Sequence, residues 1–218
     1  MSGRLRNWTL ATESQILSIE GPGSAMHSLE PGPISKLAAN IVALTEMAKL
    51  PVISYFCELE RNPQLVQGET RQSKELVAML YSVIRQTIEL LPATFEGPRN
   101  FGQTRFMRLD GTSSTWTEAM AILKDLSQYA PPVCYYVIDG IQWLDDRSTS
   151  ESLHEFVGML QHRSAQSPAW PGVRKILLTT SGPSRCVLRL LSRKEHIHLD
   201  ESVMKAALRG GRGSVLHR

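Results

Sequence analysis

The chain has few cysteines and little net charge. Its 218 residues contain three cysteines, Cys57, Cys134 and Cys186, at spacings that suit neither a disulfide framework nor a metal site. Two of them lie in apolar, strand-like runs, where a thiol behaves as a small hydrophobic side chain. We therefore expect reduced, structural cysteines. The net charge of +3 is small and dispersed, so charge predicts neither a nucleic-acid partner nor an acidic membrane surface.

Long apolar segments are also missing. No run of eighteen apolar residues occurs, and residues 1–12 are polar without the apolar stretch of a signal peptide. The sequence thus predicts neither a membrane span nor secretion, and we expect an intracellular, cytoplasmic protein. Its length suits one domain, here residues 1–200, followed by a flexible basic tail, residues 201–218.

The most informative segment spans residues 133–146 and reads VCYYVIDGIQWLDD. Its apolar residues run up to Asp139 without alternation, which is typical of a parallel strand buried on both faces. Asp139 falls at the end of that strand, where open α/β sheets bind their ligands. A carboxylate there suits Mg²⁺. The alternative is that Asp139 only caps the turn that follows.

A glycine-containing loop follows a second predicted strand, residues 16–20. Residues 21–28 read GPGSAMHS and align with the phosphate-binding Walker A pattern at its two ends, Gly21 and Ser28. Met26 replaces the second glycine and His27 replaces the lysine. The loop has therefore lost the permanent cation that contacts phosphates and the glycine that lets the backbone approach them.

The remaining pattern alternates helices and strands. Pro33 is predicted to start a helix that ends before Pro51. Further helices are predicted from the cap Ser73, from Thr115, from Ser148 and over residues 186–191, and further strands over residues 52–57, 175–180 and 196–199. This order predicts an α/β domain.

Three other groups of residues admit two interpretations each. The loop of residues 93–114 interleaves Arg99, Arg105 and Arg108 with Phe101 and Phe106, which suits single-stranded nucleic acid or a loop anchored by its phenylalanines. His196 and His198 would point the same way from a strand, as metal ligands or as edge polarity. Basic residues at 185, 189, 193 and 194 form either an anion-binding patch or a solvated face.

Taken in order, these segments resemble the P-loop NTPase core of the STAND class, in particular fungal NACHT-like domains. The resemblance implies a three-layer core with a mainly parallel five-stranded sheet, ordered 5-1-4-3-2, and helices on both faces. It also implies ATP or GTP bound with Mg²⁺ in a signalling switch. The positions that match its nucleotide and metal sites are Gly21, Gly23, Ser24, His27, Ser28, Asp139, Thr180, Ser181 and Arg185, with Ser28 and Asp139 as the Mg²⁺ ligands.

Departures from that family weaken the expected activity. Gly140, Gln142 and Trp143 stand where a water-activating carboxylate would be expected, and Asp145 and Asp146 come one helical turn later as weak catalytic candidates. Lys36 or Arg185 could supply the missing cation.

The leading hypothesis is a degenerate NACHT/STAND-like scaffold that binds protein partners by self-association or in a signalling assembly, with nucleotide binding weak or lost and hydrolysis not expected. The alternative is a nucleotide-dependent switch with slow hydrolysis. A third hypothesis is an α/β enzyme that binds another ligand at the same strand ends.

Overall fold

The computed structural model describes residues 2–23, 31–94, 102–164 and 172–200. Five parallel strands form one sheet in the order β2-β3-β4-β1-β5, which confirms the predicted order 5-1-4-3-2. The strands are β1 (Gln15–Gly21), β2 (Val52–Phe56), β3 (Val133–Asp139), β4 (Val173–Ser181) and β5 (His196–His198). The longest of them, β4, lies between β3 and β1 at the centre of the sheet.

Helices cover both faces of the sheet. They are α1 (Ser2–Leu10), α2 (Pro33–Met47), α3 (Arg71–Glu89), α4 (Gln103–Phe106), α5 (Trp116–Leu126), α6 (Ser150–Ser164) and α7 (Arg185–Leu190). Because side chains alternate along a strand, Leu177 packs with α1 and α2 while Ile176 and Leu178 pack with α3, α5 and α6. The unbroken apolar runs of the sequence follow from this two-sided burial.

Helix α1 was not predicted from the sequence, because its residues are mostly polar and Trp8 is its main apolar anchor. Trp8 is buried, packs edge-on against Tyr135 with ring centroids 5.9 Å apart, and donates from Nε1 to the Gln15 carbonyl at 3.2 Å. The Arg4 guanidinium donates to the carbonyls of His196 at 3.0 Å and Arg193 at 3.1 Å. Tertiary contacts rather than local pattern thus hold this helix.

Two predictions about helix starts have different outcomes. Pro33 is the first residue of α2, as predicted. Ser73 was predicted to cap α3, but Thr70 is the N-cap and Ser73 completes a reciprocal capping box with it. The error arose because either hydroxyl satisfies the same local pattern.

In the loop of residues 93–114, the structure describes residues 93–94 and 102–114. An ion-pair cluster holds the second of these parts. Arg105 in α4 contacts Glu118 at 2.6 Å and Asp125 at 2.5 Å, both on α5. Phe106 packs against the core beside it. Arg105 therefore has a structural role here, and Arg99 and Phe101 lie outside the described residues. The contacts favour an anchored loop over a nucleic-acid surface.

The three cysteines are free and buried, as expected. Burial raises the pKa of the Cys134 and Cys186 thiols to about 12, and for Cys186 the neighbouring Asp145 adds to the effect. Within the described parts of the chain, no helix has the length and apolar character needed to cross a bilayer.

Strand β2 forms one edge of the sheet, and a side chain covers its free hydrogen-bonding groups. Gln86 of α3 accepts from the Ser54 amide through Oε1 at 2.9 Å and donates to the Ser54 carbonyl through Nε2 at 2.9 Å. The side-chain amide of Gln86 thus forms the two hydrogen bonds that a neighbouring strand would otherwise form with Ser54. Edge strands commonly need such protection against pairing with another chain.

We expect Gln86→Ala to lower the free energy of unfolding by about 1–2 kcal/mol, because two hydrogen bonds to the edge strand are lost. Urea denaturation measures this free energy. The exposed edge should also increase association of the chain, which light scattering measures. Arg85→Ala is the control, since its ion pair with Glu89 is exposed and should contribute less than about 0.5 kcal/mol. Equal effects of the two substitutions would contradict the protective role of Gln86.

Candidate functional site

Asp139 lies at the carboxyl edge of the sheet, as predicted, but it is not open to solvent. Only 6% of the residue is exposed, and its Oδ1 accepts a hydrogen bond of 2.6 Å from Thr179 Oγ1 on the neighbouring strand. Hydrogen bonds to charged groups are among the stronger ones in proteins. One carboxylate oxygen is therefore committed to holding β3 against β4.

The turn after Asp139 locks three strand ends together. Gly140 has φ +78°, and a Cβ at this position would lie 2.9 Å from the Cys57 carbonyl oxygen, so only glycine fits. The Gly140 amide donates to the Thr179 carbonyl at 2.9 Å, and the Cys57 amide donates to the Asp139 carbonyl at 2.8 Å. Burial raises the pKa of the Cys57 thiol well above its usual value, and the charges of Glu75 and Asp139 add to the shift. This thiol stays protonated and is not a nucleophile.

The start of the glycine loop packs against the first turn of α2. A Cβ on Gly21 would lie 2.4 Å from Ile34 Cγ1, which requires glycine at the end of β1 or a shift of Ile34. The Gly182 amide donates to the Gly21 carbonyl at 2.9 Å. A Cβ on Gly32, the N-cap of α2, would lie 3.9 Å from Ser181 Oγ. Gly21, Ser181 and the start of α2 therefore meet at one place.

The remaining loop residues are less informative. Gly23 has open space around its Cα and lies near Gly182, whose added Cβ would be 3.5 Å from Gly23 Cα. Ser24, His27 and Ser28 lie outside the described residues. Helix α2 begins at Pro33, five residues after Ser28, and its N-cap Gly32 offers no side-chain hydrogen bond.

The cationic candidates are both exposed. Lys36 lies in the first turn of α2, and Arg185 is the first residue of α7. Neither makes a salt bridge within the part of the chain that the structure describes. The positions of Lys36 and Arg185 on their helices do not show that either charge points toward Asp139.

Asp145 and Asp146, the weak catalytic candidates, serve as caps. Asp145 Oδ2 accepts from Ser184 Oγ at 2.7 Å and from the Cys186 amide at 2.8 Å, at the start of α7. Asp146 Oδ1 accepts from the Ser148 amide at 2.7 Å, just before α6. These hydrogen bonds favour structural roles for both carboxylates.

Two polar residues at this edge have buried groups without hydrogen-bond partners among the described residues. Thr180 is 1% exposed and its hydroxyl is unpaired, and both amide atoms of Gln142 are buried and unpaired. An unsatisfied buried group costs about 1–3 kcal/mol, so these positions suit a water molecule or a polar ligand. Thr180 was predicted as a sensor residue. Gln142 was noted from the sequence only because it stands where a water-activating carboxylate would be expected.

A carboxylate missed by the sequence analysis lies on β1. Glu20 contacts His196 Nε2 at 3.2 Å through Oε2 and His198 Nδ1 at 3.3 Å through Oε1. The two histidines thus point the same way, as expected, but they bracket a carboxylate. Among the described side chains, no group of three or more His, Cys, Asp or Glu residues is placed to hold a metal ion. The contacts favour a polar clamp that fastens β5 to β1.

A cavity of about 580 Å³ lies beside the amino end of β1, away from the strand ends that carry Asp139. Arg4, Trp8 and Glu195 are among the residues that line it. Arg4 is bonded to backbone carbonyls, and Glu195 accepts from the Ser192 amide and hydroxyl at 2.8 Å each. The charged groups of Arg4 and Glu195 are therefore engaged in holding the fold.

The described residues fit a magnesium site only in part. Asp139 Oδ2 accepts no hydrogen bond from a described residue, but Oδ1 is engaged, and the described His, Cys, Asp and Glu residues form no group of three or more that could hold a metal ion. In sequence, the chain matches no family model and no curated protein.

We expect Thr179→Val to lower the free energy of unfolding by about 1.5–3 kcal/mol, because it leaves a buried carboxylate without its donor. Thr179→Ser, which keeps the hydroxyl, should cost clearly less. Urea denaturation of both variants, repeated in an Asp139→Asn background, measures the coupling between the two side chains. A valine variant as stable as the serine variant would show that the hydrogen bond contributes nothing.

Proposed function

We propose that this chain is a degenerate P-loop domain of the NACHT/STAND type that acts as a protein-binding scaffold, with nucleotide binding weak or lost. The observation that carries the proposal is the start of α2 at Pro33. In a P-loop, the hydroxyl residue of the motif sits at the N-terminus of the helix, whose amides hold the phosphates. Here Ser28 precedes the helix by five residues.

The state of Asp139 supports the same proposal. A metal-binding carboxylate must be within reach of the ion, whereas this residue is buried and one of its two oxygens is bonded to Thr179. At most one oxygen of Asp139 is therefore left for a metal ion. Asp145 and Asp146, the two carboxylates considered for water activation, are both engaged as caps. Hydrolysis is therefore not expected.

A second candidate is a nucleotide-dependent switch with slow hydrolysis. It is favoured by the unpaired buried groups of Gln142 and Thr180, which suit a polar ligand at the strand ends. The meeting of Gly21, Ser181 and the start of α2 would support phosphate binding by main-chain amides without a lysine. The two candidates differ in whether nucleotide binds at all.

Titration with ATP and with GTP, each with and without Mg²⁺, distinguishes them by calorimetry. The scaffold proposal predicts no saturable heat at millimolar nucleotide, because the loop lacks a phosphate-contacting cation and Asp139 is engaged. Saturable, Mg²⁺-dependent binding would contradict it and favour the switch.

Two variants make the titration specific. If binding appears, Asp139→Ala should abolish it, whereas Asp200→Ala should not. Asp200 carries the same charge on a 73%-exposed side chain and contacts His198 beyond β5. Thermal melts of both variants establish that each is folded.

A further inference from the structure

The outward side of α2 has fewer charged residues than usually cover a solvent-facing helix, because the helix carries only Lys36 and Glu46. Its outer stripe, defined as Lys36, Asn40, Ala43 and Met47, follows helical spacing, and all four residues are exposed. Met47 is 80% exposed, and Leu44 beside the stripe is 63% exposed. The opposite side of the helix is buried against the sheet through Ile34, Ala38 and Thr45. The outward side of the helix thus combines the polar residues Lys36 and Asn40 with the exposed apolar residues Ala43, Leu44 and Met47.

The charges of α2 are arranged so that the helix is complementary to a second copy of itself. It carries one cation, Lys36, and one anion, Glu46, ten residues or about 15 Å apart along its axis. Consider two antiparallel copies of α2 related by a twofold axis perpendicular to the helices at the level of Ile41, midway between the two charges. Lys36 of each copy then lies level with Glu46 of the other. The same axis brings Ala39 level with Ala43, and small side chains there allow a close approach of the helices.

We propose that the outer stripe of α2 is a homodimer surface, on which two copies of this chain pair through antiparallel α2 helices. This inference rests on the proposed scaffold function and names its partner as a second copy. The contact of a single helix is smaller than the roughly 800 Å² per partner of a standard interface. The dimer is therefore weak and forms in a concentration-dependent way.

Variants in which the charges of Lys36 and Glu46 are exchanged test this pairing. Dimerisation is measured by sedimentation equilibrium in the absence of nucleotide. Lys36→Glu and Glu46→Lys should each weaken dimerisation by about tenfold, because each places like charges opposite one another twice. The double variant Lys36→Glu/Glu46→Lys should restore it. This rescue is specific to the symmetric antiparallel pair, since a different partner or a head-to-tail contact would not regain both ion pairs.

A second pair of variants tests the apolar part of the surface. Met47→Glu should abolish dimerisation without unfolding the chain, because its side chain is already largely solvated. Leu188→Glu, at a residue 49% exposed on α7, is the matched control and should leave dimerisation unchanged. Thermal melts check that each variant is folded.

A chain that stays monomeric up to millimolar concentration would overturn the proposal, as would a double variant that fails to regain the dimer. Capture of a different protein by this stripe, with no self-association, would also overturn it. None of these results depends on nucleotide, so failure of the dimer and failure of the scaffold proposal by calorimetry remain separate outcomes.

Discussion

The hydrogen bond from Thr179 to Asp139 determines what the carboxyl edge of this sheet offers to a ligand. Parallel pairing of β3 with β4 brings the two side chains level, and burial on both sides leaves the carboxylate dependent on this donor. The left-handed Gly140 then turns the chain under the end of β2, where the Cys57 carbonyl leaves no room for a side chain. Asp139, the best candidate for a metal ligand, is thereby part of the packing of the sheet.

The same edge brings together the segments that the proposed P-loop function would use. Strand β1, its glycine turn and the start of α2 converge with Ser181. The late start of α2 and the engaged carboxylate, however, separate that architecture from the chemistry of phosphoryl transfer, which needs cation, metal and oriented water together. A scaffold that uses the fold for its surfaces is the interpretation most consistent with these features.

The central elements were predictable from the sequence because their signals are local. Buried parallel strands read as unbroken apolar runs, and Pro33 marks the start of α2 through its fixed φ angle. Strand order followed only from the family resemblance, since apolar runs do not specify neighbours. Asp139 was placed correctly at a strand end, yet its donor Thr179 comes from a strand 40 residues later in the chain.

The features that were missed depend on tertiary contacts. Helix α1 is fixed by Trp8 and Arg4 rather than by an amphipathic pattern. Glu20 takes on meaning only because β5 pairs with β1 and presents its two histidines to that carboxylate. The cap formed by Asp145 spans about 40 residues in sequence for the same reason. No local pattern encodes such contacts.

Restoring the lost loop residues tests most directly whether architecture, rather than the missing lysine alone, limits nucleotide binding. The double variant Met26→Gly/His27→Lys regains the glycine and lysine of the Walker A pattern, and its affinity for Mg²⁺–ATP is measured by calorimetry. With α2 still starting at Pro33 and Asp139 still bonded to Thr179, we expect no saturable binding. Tight, Mg²⁺-dependent binding by the restored chain, lost again on Asp139→Ala, would contradict this explanation and show that two side chains alone separate the domain from an active nucleotide switch.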